Sequence, residues 1–168
     1  MEMNDVRGVW NQCYNAAGLG GMTGGATTYT TTALGDDTGL LYTIGGKFYY
    51  SADDTATEVP DLDITTGVAF EALDTGEGCL FVFCLDSSQV MKVAQGPVVK
   101  TADVTNKSAV YEFPSIPDTV TPIGYNTISY VGSSTWTFGT SNWNASTTTL
   151  GTPVDCAVLP TQPLTAAL

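Results

Sequence analysis

The side chains of this sequence that could carry out chemistry are acids, thiols and hydroxyls, because the chain contains no histidine. A serine or cysteine nucleophile normally depends on a neighbouring histidine that acts as its base. Histidine is also the commonest metal ligand and the commonest general base near neutral pH. The composition therefore predicts a protein without catalytic residues, and we expect it not to be an enzyme.

The acidic residues gather in segments that resemble turns. Pairs stand at Asp36-Asp37 and Asp53-Asp54, and a looser group comprises Glu58, Asp61 and Asp63. Two carboxylates across a cleft would suit a glycoside hydrolase, which is one hypothesis. The looser group would suit calcium, although the glycine and distal glutamate of an EF-hand loop are absent. We interpret these acids as solvated turn residues, which predicts no metal site, no cofactor and little effect of chelators.

The four cysteines are expected to be reduced thiols that serve as small apolar side chains. Cys79 and Cys84 stand five positions apart in an apolar run. A strand would place them on opposite faces and about 16 Å apart, beyond the reach of a disulfide. Zinc sites usually begin with a C-x-x-C pair, which is absent. Reduced thiols fit synthesis in a cytosol, and a bond between Cys13 and Cys156 stays an open alternative.

The element that must organise the fold is the run of seven apolar residues from Cys79 to Leu85. It is too short for a membrane span and rich in aromatic and branched residues, which predicts a strand buried on both faces. The turn residues 86–89 and the strand 90–95 complete a hairpin. A strand that is apolar on both faces must be covered twice. The cover is either a second sheet with local loops or a second subunit.

Further short strands are predicted where threonine, aromatic and branched residues lie between turn residues. They are residues 26–34, the hairpin 39–51 with its Gly45-Gly46 turn, 109–113, 123–131, 135–139 and a last strand within 145–158. Residues 67–73 are either a strand or a helical turn, whereas 51–66 and 100–108 are expected to be loops and 114–122 an extended crossing. This spacing predicts an all-β fold, a sandwich or barrel of short antiparallel strands.

The chain is expected to have one β domain, residues 26–160, flanked by an N-terminal arm and a C-terminal tail. In the arm, residues 1–25, a short helix is predicted over 4–17, because apolar side chains recur at helical spacing. Five glycines among residues 18–25 then predict a flexible link or a run of turns. The arm either anchors the protein to a partner or packs on its own domain. Residues 161–168 are expected to be extended.

The charge balance argues against nucleic acid as a partner. The net charge is −12, and the chain has only five lysine and arginine residues to neutralise phosphates. The segment that follows Met1 is acidic and lacks the apolar region of a signal peptide. No run of apolar residues approaches the length of a membrane span, so no membrane partner is expected.

Aromatic side chains on or beside the strands could form a carbohydrate-binding face, a subunit interface or an ordinary core. We take seven of them as candidates for an interface. They are Trp10, Phe81, Phe83, Tyr111, Tyr130, Trp136 and Trp143.

Several short blocks of the sequence resemble small structural proteins of tailed-bacteriophage heads. They are Cys79-Leu80-Phe81-Val82-Phe83, Val93-Ala94-Gln95-Gly96, Phe113-Pro114-Ser115-Ile116-Pro117, Pro122-Ile123-Gly124-Tyr125, Thr135-Trp136-Thr137-Phe138-Gly139 and Asn142-Trp143-Asn144. The resemblance covers roughly residues 26–160, while residues 1–25 lie outside it. It implies a decoration or cement protein: a β-rich homotrimer, made in the host cytoplasm, that sits on the outer capsid surface and ties units of the major capsid protein together. No catalytic or cofactor residues carry over from it.

The composition agrees with an assembly role on the outside of a head, since an inner position would expose an acidic surface to DNA of like charge. The alternative hypothesis is a tail-fibre or adhesin module that binds glycans through its aromatic side chains.

Overall fold

The computed structural model describes residues 11–22, 27–32, 39–143 and 148–160. These ranges contain β1 (Thr28–Thr31), β2 (Gly39–Ile44), β3 (Lys47–Ala52), β4 (Asp54–Glu58), β5 (Glu77–Asp86), β6 (Met91–Gln95), β7 (Val99–Lys100), α1 (Thr101–Thr105), β8 (Val120–Tyr130), β9 (Thr148–Leu150) and β10 (Val154–Asp155). The strands form antiparallel sheets that pack together, and the helix has five residues. The prediction of an all-β fold is therefore confirmed, and the packing is consistent with a sandwich.

The largest sheet is built around β5, in the order β10-β8-β5-β6. Strand β8 pairs with β5 along its whole length, with a register shift between Phe83 and Cys84. Strands β7 and β9 extend the edges of this sheet by pairing with β5 and β8. Two smaller sheets accompany it, one of β1 with β4 and one of β2 with β3.

Strand β5 is buried on both faces, as predicted. One face carries Cys79, Phe81, Phe83 and Leu85 into a first core. The opposite face carries Leu80, Val82 and Cys84 into a second core, so Cys79 and Cys84 do lie on opposite faces.

Both covers of β5 come from the same chain. The first core is closed by segments that include Tyr42, Leu73 and Trp136. The second is closed by Phe113 and Ile116 from one irregular segment and by Cys156 and Leu159 from another. Of the two covers that the sequence allowed, local segments and a second subunit, β5 therefore uses the first.

The hairpin of β2 and β3 matches its prediction. Gly45 and Gly46 form the two-residue turn with φ of 57° and 79°, and Ile44 pairs with Lys47. Positive φ at both positions is characteristic of the primed turn whose twist suits a hairpin.

Several predicted loops and strands are wrong. The expected loop 51–66 contains β4, because its threonine-rich start pairs with the equally threonine-rich β1. The expected loop 100–108 contains α1. Residues 109–113 form no strand, because Phe113 packs edge-on against Tyr125, with ring centroids 5.0 Å apart, and Tyr111 packs on the second core.

The returning strand predicted over 135–139 is reduced to a single bridge between Trp136 and Leu73. Residues 67–73 form neither a strand nor a helical turn, and hold only isolated bridges. The last predicted strand is two short ones, β9 and β10, which pair with different parts of β8.

The predicted helix of the arm is wrong over residues 11–17, and its remainder, residues 4–10 with Trp10, lies outside the described residues. Cys13 forms a bridge with Tyr42, which places this segment beside β2. Cys13 and Ala17 reach the first core from an irregular backbone that bends at residues 14 and 15, so their helical spacing does not reflect a helix. Cys13 and Ala17 are fully buried.

The glycine-rich segment is not a flexible link over residues 18–22. Leu19 and Met22 are buried in the first core. Gly20 and Thr30 exchange two backbone hydrogen bonds of 3.0 and 2.8 Å, which attach the segment to β1. Residues 23–25 lie outside the described residues.

Asp155, in β10, hydrogen-bonds to this segment and so attaches it to the large sheet. Its Oδ2 accepts a hydrogen bond from the backbone N–H of Gly18, and its Oδ1 accepts one from that of Leu19, both at 3.0 Å. The carboxylate thus satisfies two backbone donors of a segment that has no regular ladder of its own.

We expect Asp155→Ala to lower the free energy of unfolding by about 1–3 kcal/mol, because two partly buried N–H groups lose their acceptor. The measurement is urea unfolding, with Asp118→Ala as the control, since Asp118 is exposed. The control should stay within about 0.5 kcal/mol of the wild type. Equal unfolding midpoints for the two variants would contradict the role assigned to Asp155.

Candidate functional site

The structure places most of the proposed interface aromatics inside the first core. Five of the seven candidates are at most 4% exposed: Phe81, Phe83, Tyr130, Trp136 and Trp143. Their polar atoms are used internally, since the indole N–H of Trp143 donates to the Thr28 carbonyl oxygen at 2.8 Å and that of Trp136 to the Asn142 carbonyl oxygen at 3.1 Å. These side chains offer no surface to a partner, so the ordinary core alternative applies to them.

The other two candidates differ. Tyr111 is half-buried against the second core, and its hydroxyl lies over Gly78, where a Cβ atom would come within 2.8 Å of it. Burial raises the pKa of the Tyr111 hydroxyl above its usual value. Trp10 lies outside the described residues.

The structure assembles a different surface around the β2–β3 hairpin. Residues 12–14 run along the free side of β2, where Cys13 forms an isolated bridge with Tyr42, and we call these residues together with β2 and β3 the ribbon. The backbone N–H of Tyr14 donates to the Leu41 carbonyl oxygen at 2.8 Å, and that of Thr43 donates to the Gln12 carbonyl oxygen at 2.9 Å.

The inner side of this ribbon belongs to the first core. Leu40 and Tyr42 are buried there. The Tyr42 ring stacks on that of Tyr49 with centroids 5.6 Å apart, and its hydroxyl donates to the Asp86 carbonyl oxygen at 2.7 Å. The ribbon is thus fixed to the end of β5 and presents its other side outward.

Four apolar side chains stand on the outward side, which we call the ribbon face: Tyr14, Leu41, Phe48 and Tyr50. Their exposed fractions are 50%, 41%, 61% and 51%. Leu41 pairs directly with Tyr50 across the hairpin, and the rings of Tyr14 and Phe48 lie 5.5 Å apart. The ribbon face is therefore a contiguous aromatic surface.

The ribbon face carries no charged side chain, although the chain as a whole has a net charge of −12. Lys47 of β3 is on the opposite side of the ribbon, where its Nζ lies 5.3 Å from the centre of the Tyr49 ring. An uncharged apolar surface on an acidic protein is characteristic of an interaction site.

Part of the ribbon face could be predicted from the sequence. The Gly45-Gly46 turn fixes the hairpin register, and this register puts Leu41, Phe48 and Tyr50 on one side. Tyr14 was not predictable, because its segment was expected to be helical.

The acidic group of the 53–63 region is only partly solvated, which corrects the prediction for Asp63. This residue is 5% exposed and accepts hydrogen bonds from the Thr65 backbone N–H, the Thr66 hydroxyl and the Gln95 backbone N–H. Asp63 therefore closes a turn against β6, while Asp61 is exposed. Within the described ranges no group of three or more acids and cysteines is placed to hold a metal ion.

We expect a chelator to shift the melting temperature by no more than a degree or two, because the Asp63 carboxylate already has protein donors. The measurement is a thermal melt with and without EDTA, with added calcium as the control. A fall of about 10 °C or more would contradict this, because so large a shift requires several kcal/mol of linked binding.

The cysteines are poor nucleophiles in this fold. Burial is the largest cause that raises the pKa of Cys79 and of Cys156 to about 12. Burial likewise raises the pKa of Cys13 and of Cys84 above the usual value. The thiolate, which is the reactive form, is therefore scarce at neutral pH.

We expect all four thiols to react with a disulfide reagent at pH 8 about a hundredfold more slowly in the folded protein than in concentrated guanidinium. The half-buried Cys156 should react first. The measurement is the rate of Ellman's reaction, and free cysteine is the control. A thiol of the folded protein that reacts as fast as free cysteine would contradict the assignment.

No family model, curated protein or solved structure matches this chain. The described part of the chain contains no helix that is long and apolar enough to cross a membrane. The fold class is thus established by the sheets themselves, and the resemblance to phage head proteins stays a prediction.

Proposed function

We propose that this protein is a decoration protein of a bacteriophage capsid, with a structural and not an enzymatic role. The observation that carries the proposal is the ribbon face, an uncharged aromatic surface on a chain of net charge −12. Such a surface suits attachment to another protein better than turnover of a substrate. The resemblance of the sequence blocks to head proteins supports the same role.

The acidity of the chain supports a location on the outer surface of the head, in contact with the major capsid protein. DNA fills the interior, and an acidic protein there would face charge of the same sign. The same acidity argues against a nucleic-acid partner, because phosphate binding depends on lysine and arginine.

The homotrimer is proposed from the resemblance alone, since β5 does not require a second subunit. Three copies that bind a repeated lattice would gain avidity from simultaneous contacts, which makes a weak single contact sufficient. Sedimentation at micromolar concentration measures the mass of the assembly. A mass that corresponds to a monomer would contradict the trimer. The attachment to the capsid would then still be tested by binding to particles.

The test of the function is the position of the chain on a purified phage particle. Particles that lack the protein are mixed with the pure chain, and density that appears on the outer head surface would support the proposal. Density on the tail, or no binding at all, would contradict it.

A glycan-binding module is the second candidate, because Tyr14 and Phe48 hold their rings 5.5 Å apart at an angle of 33°. Neighbouring exposed rings of this kind can stack on a sugar. A glycan array distinguishes the two candidates: binding to a defined glycan that Phe48→Thr abolishes would favour the module over the decoration protein.

A further inference from the structure

We infer that the ribbon face is the docking surface and that its occupant is a protein surface with an apolar centre and a basic rim, and not a second copy of this chain. This inference rests on the proposed function, because it specifies the contact through which the chain would attach to the capsid.

The size of the ribbon face argues against self-association. About half of each of its three aromatic side chains and of Leu41 is exposed. An aromatic side chain carries roughly 200 Å² of surface, so the face offers on the order of 400 Å². A stable complex of standard size buries about 800 Å² on each partner. Two copies joined through this face alone would therefore be held weakly, whereas a repeated capsid lattice can be bound through several such weak contacts at once.

Charge argues in the same direction. Two copies that met through this face would each bring a net charge of −12 to it, and among the described residues the ribbon face has no lysine or arginine that could offset this charge. A partner with basic residues around an apolar centre would instead be attracted at long range and would bury the rings at short range. Complementary charge of this kind mainly accelerates association, whereas buried aromatic anchors mainly slow dissociation.

The fold holds the ribbon face rigidly, which suits docking. Its middle strand, β2, is bonded on one side to β3 and on the other to residues 12–14. The Thr121 hydroxyl also donates to the Thr43 carbonyl oxygen, which ties β2 to β8 of the large sheet. The hydroxyl end of Tyr50 lies over Gly39, where an added Cβ atom would come within 2.7 Å of the hydroxyl oxygen, so this glycine allows the close approach. Aromatic anchors that are fixed before binding lose little entropy on association.

The test uses the full chain and head particles that lack it, from the phage that encodes it. The test variant is Leu41→Thr with Phe48→Thr, which keeps strand-forming residues at both positions. The matched control is Val68→Thr with Val131→Thr, which removes two other exposed apolar side chains, 62% and 59% exposed, outside the ribbon. The amount of bound chain is measured by co-sedimentation with the particles. The association and dissociation rates are measured on immobilised particles.

We expect the ribbon variant to bind about tenfold more weakly or worse, through faster dissociation, and the control to bind within about twofold of the wild type. The association rate of the wild type should fall severalfold as salt is raised from low to high concentration, because salt screens charge. Tight binding by the ribbon variant would overturn this inference alone. Failure of the wild type to bind would overturn the proposed function and the inference with it.

Two other results would also overturn the inference. If the ribbon variant changes the sedimentation coefficient of the pure chain, the occupant is a second copy. If association does not depend on salt, the partner has no basic rim.

Discussion

Replacement of Phe81 by alanine should lower the free energy of unfolding by about 3–5 kcal/mol, the range for the loss of a buried phenylalanine. The Phe81 side chain is fully buried, and its ring stacks on that of Phe138 with centroids 4.5 Å apart. Trp136 and Phe70 contact it edge-on, with centroids 6.2 and 6.0 Å away. Alanine would leave a cavity among rigid rings that cannot easily collapse into it.

The matched variant is Phe48→Ala. It should lower the free energy of unfolding by less than about 1 kcal/mol, because the Phe48 side chain is 61% exposed. Urea unfolding of both variants measures the difference. The pair separates the two roles that the sequence leaves open for aromatic residues, the core and an interface. If Phe81→Ala kept full stability and instead changed the assembly in sedimentation, the interface role predicted for Phe81 would be right.

The central strand was predictable because its signal is local. Seven consecutive apolar residues in a short segment indicate a strand that is buried on both faces. The alternation of side chains along a strand then assigns Cys79 and Cys84 to opposite faces, whatever segments cover those faces. The hairpin at Gly45-Gly46 was predictable for the same reason, since the turn itself sets the register.

The covers of β5 were not predictable, because irregular segments provide them. Residues 109–117 were partly expected to be a strand, yet they cover the second core without one. Trp136 forms its bridge with Leu73, which is distant in the sequence. Nothing in the residues around Trp136 shows that they form a single bridge and not a strand. Aromatic side chains predict burial or an interface equally well until the tertiary contacts are known.

The ribbon face was not predicted from the sequence for a related reason. Five of the seven aromatic residues that were predicted to form an interface fill the core. The ribbon face depends on Tyr14, whose segment has helical spacing in the sequence and an irregular, non-helical course in the fold. Tertiary packing overrides a short periodic pattern when the same apolar residues can reach the core from a non-helical backbone.

The glycine-rich segment shows why composition alone could not decide between a flexible link and a run of turns. Gly18 and Gly21 adopt φ of 57° and 71°, which side-chain-bearing residues rarely adopt. A Cβ atom on Gly18 would overlap the carbonyl oxygen of Thr32. These glycines therefore allow a close approach to β1 and the residue after it, and the segment is packed where a linker was expected.

Substitution of Gly18 by alanine should therefore lower the free energy of unfolding by about 2–5 kcal/mol, the sum of a left-handed backbone and an overlap with a packed neighbour. Gly45→Ala is a close control, because Gly45 has the same φ of 57° but no atom within 4 Å of the added Cβ. Gly45→Ala should lower the free energy of unfolding by only about 1–2 kcal/mol, which is the cost of the left-handed backbone conformation. The difference between the two variants in urea unfolding measures the packing of Gly18 alone. A flexible link would tolerate alanine at position 18 at least as well as the hairpin turn does, so equal losses, or a smaller loss at Gly18, would restore the linker interpretation.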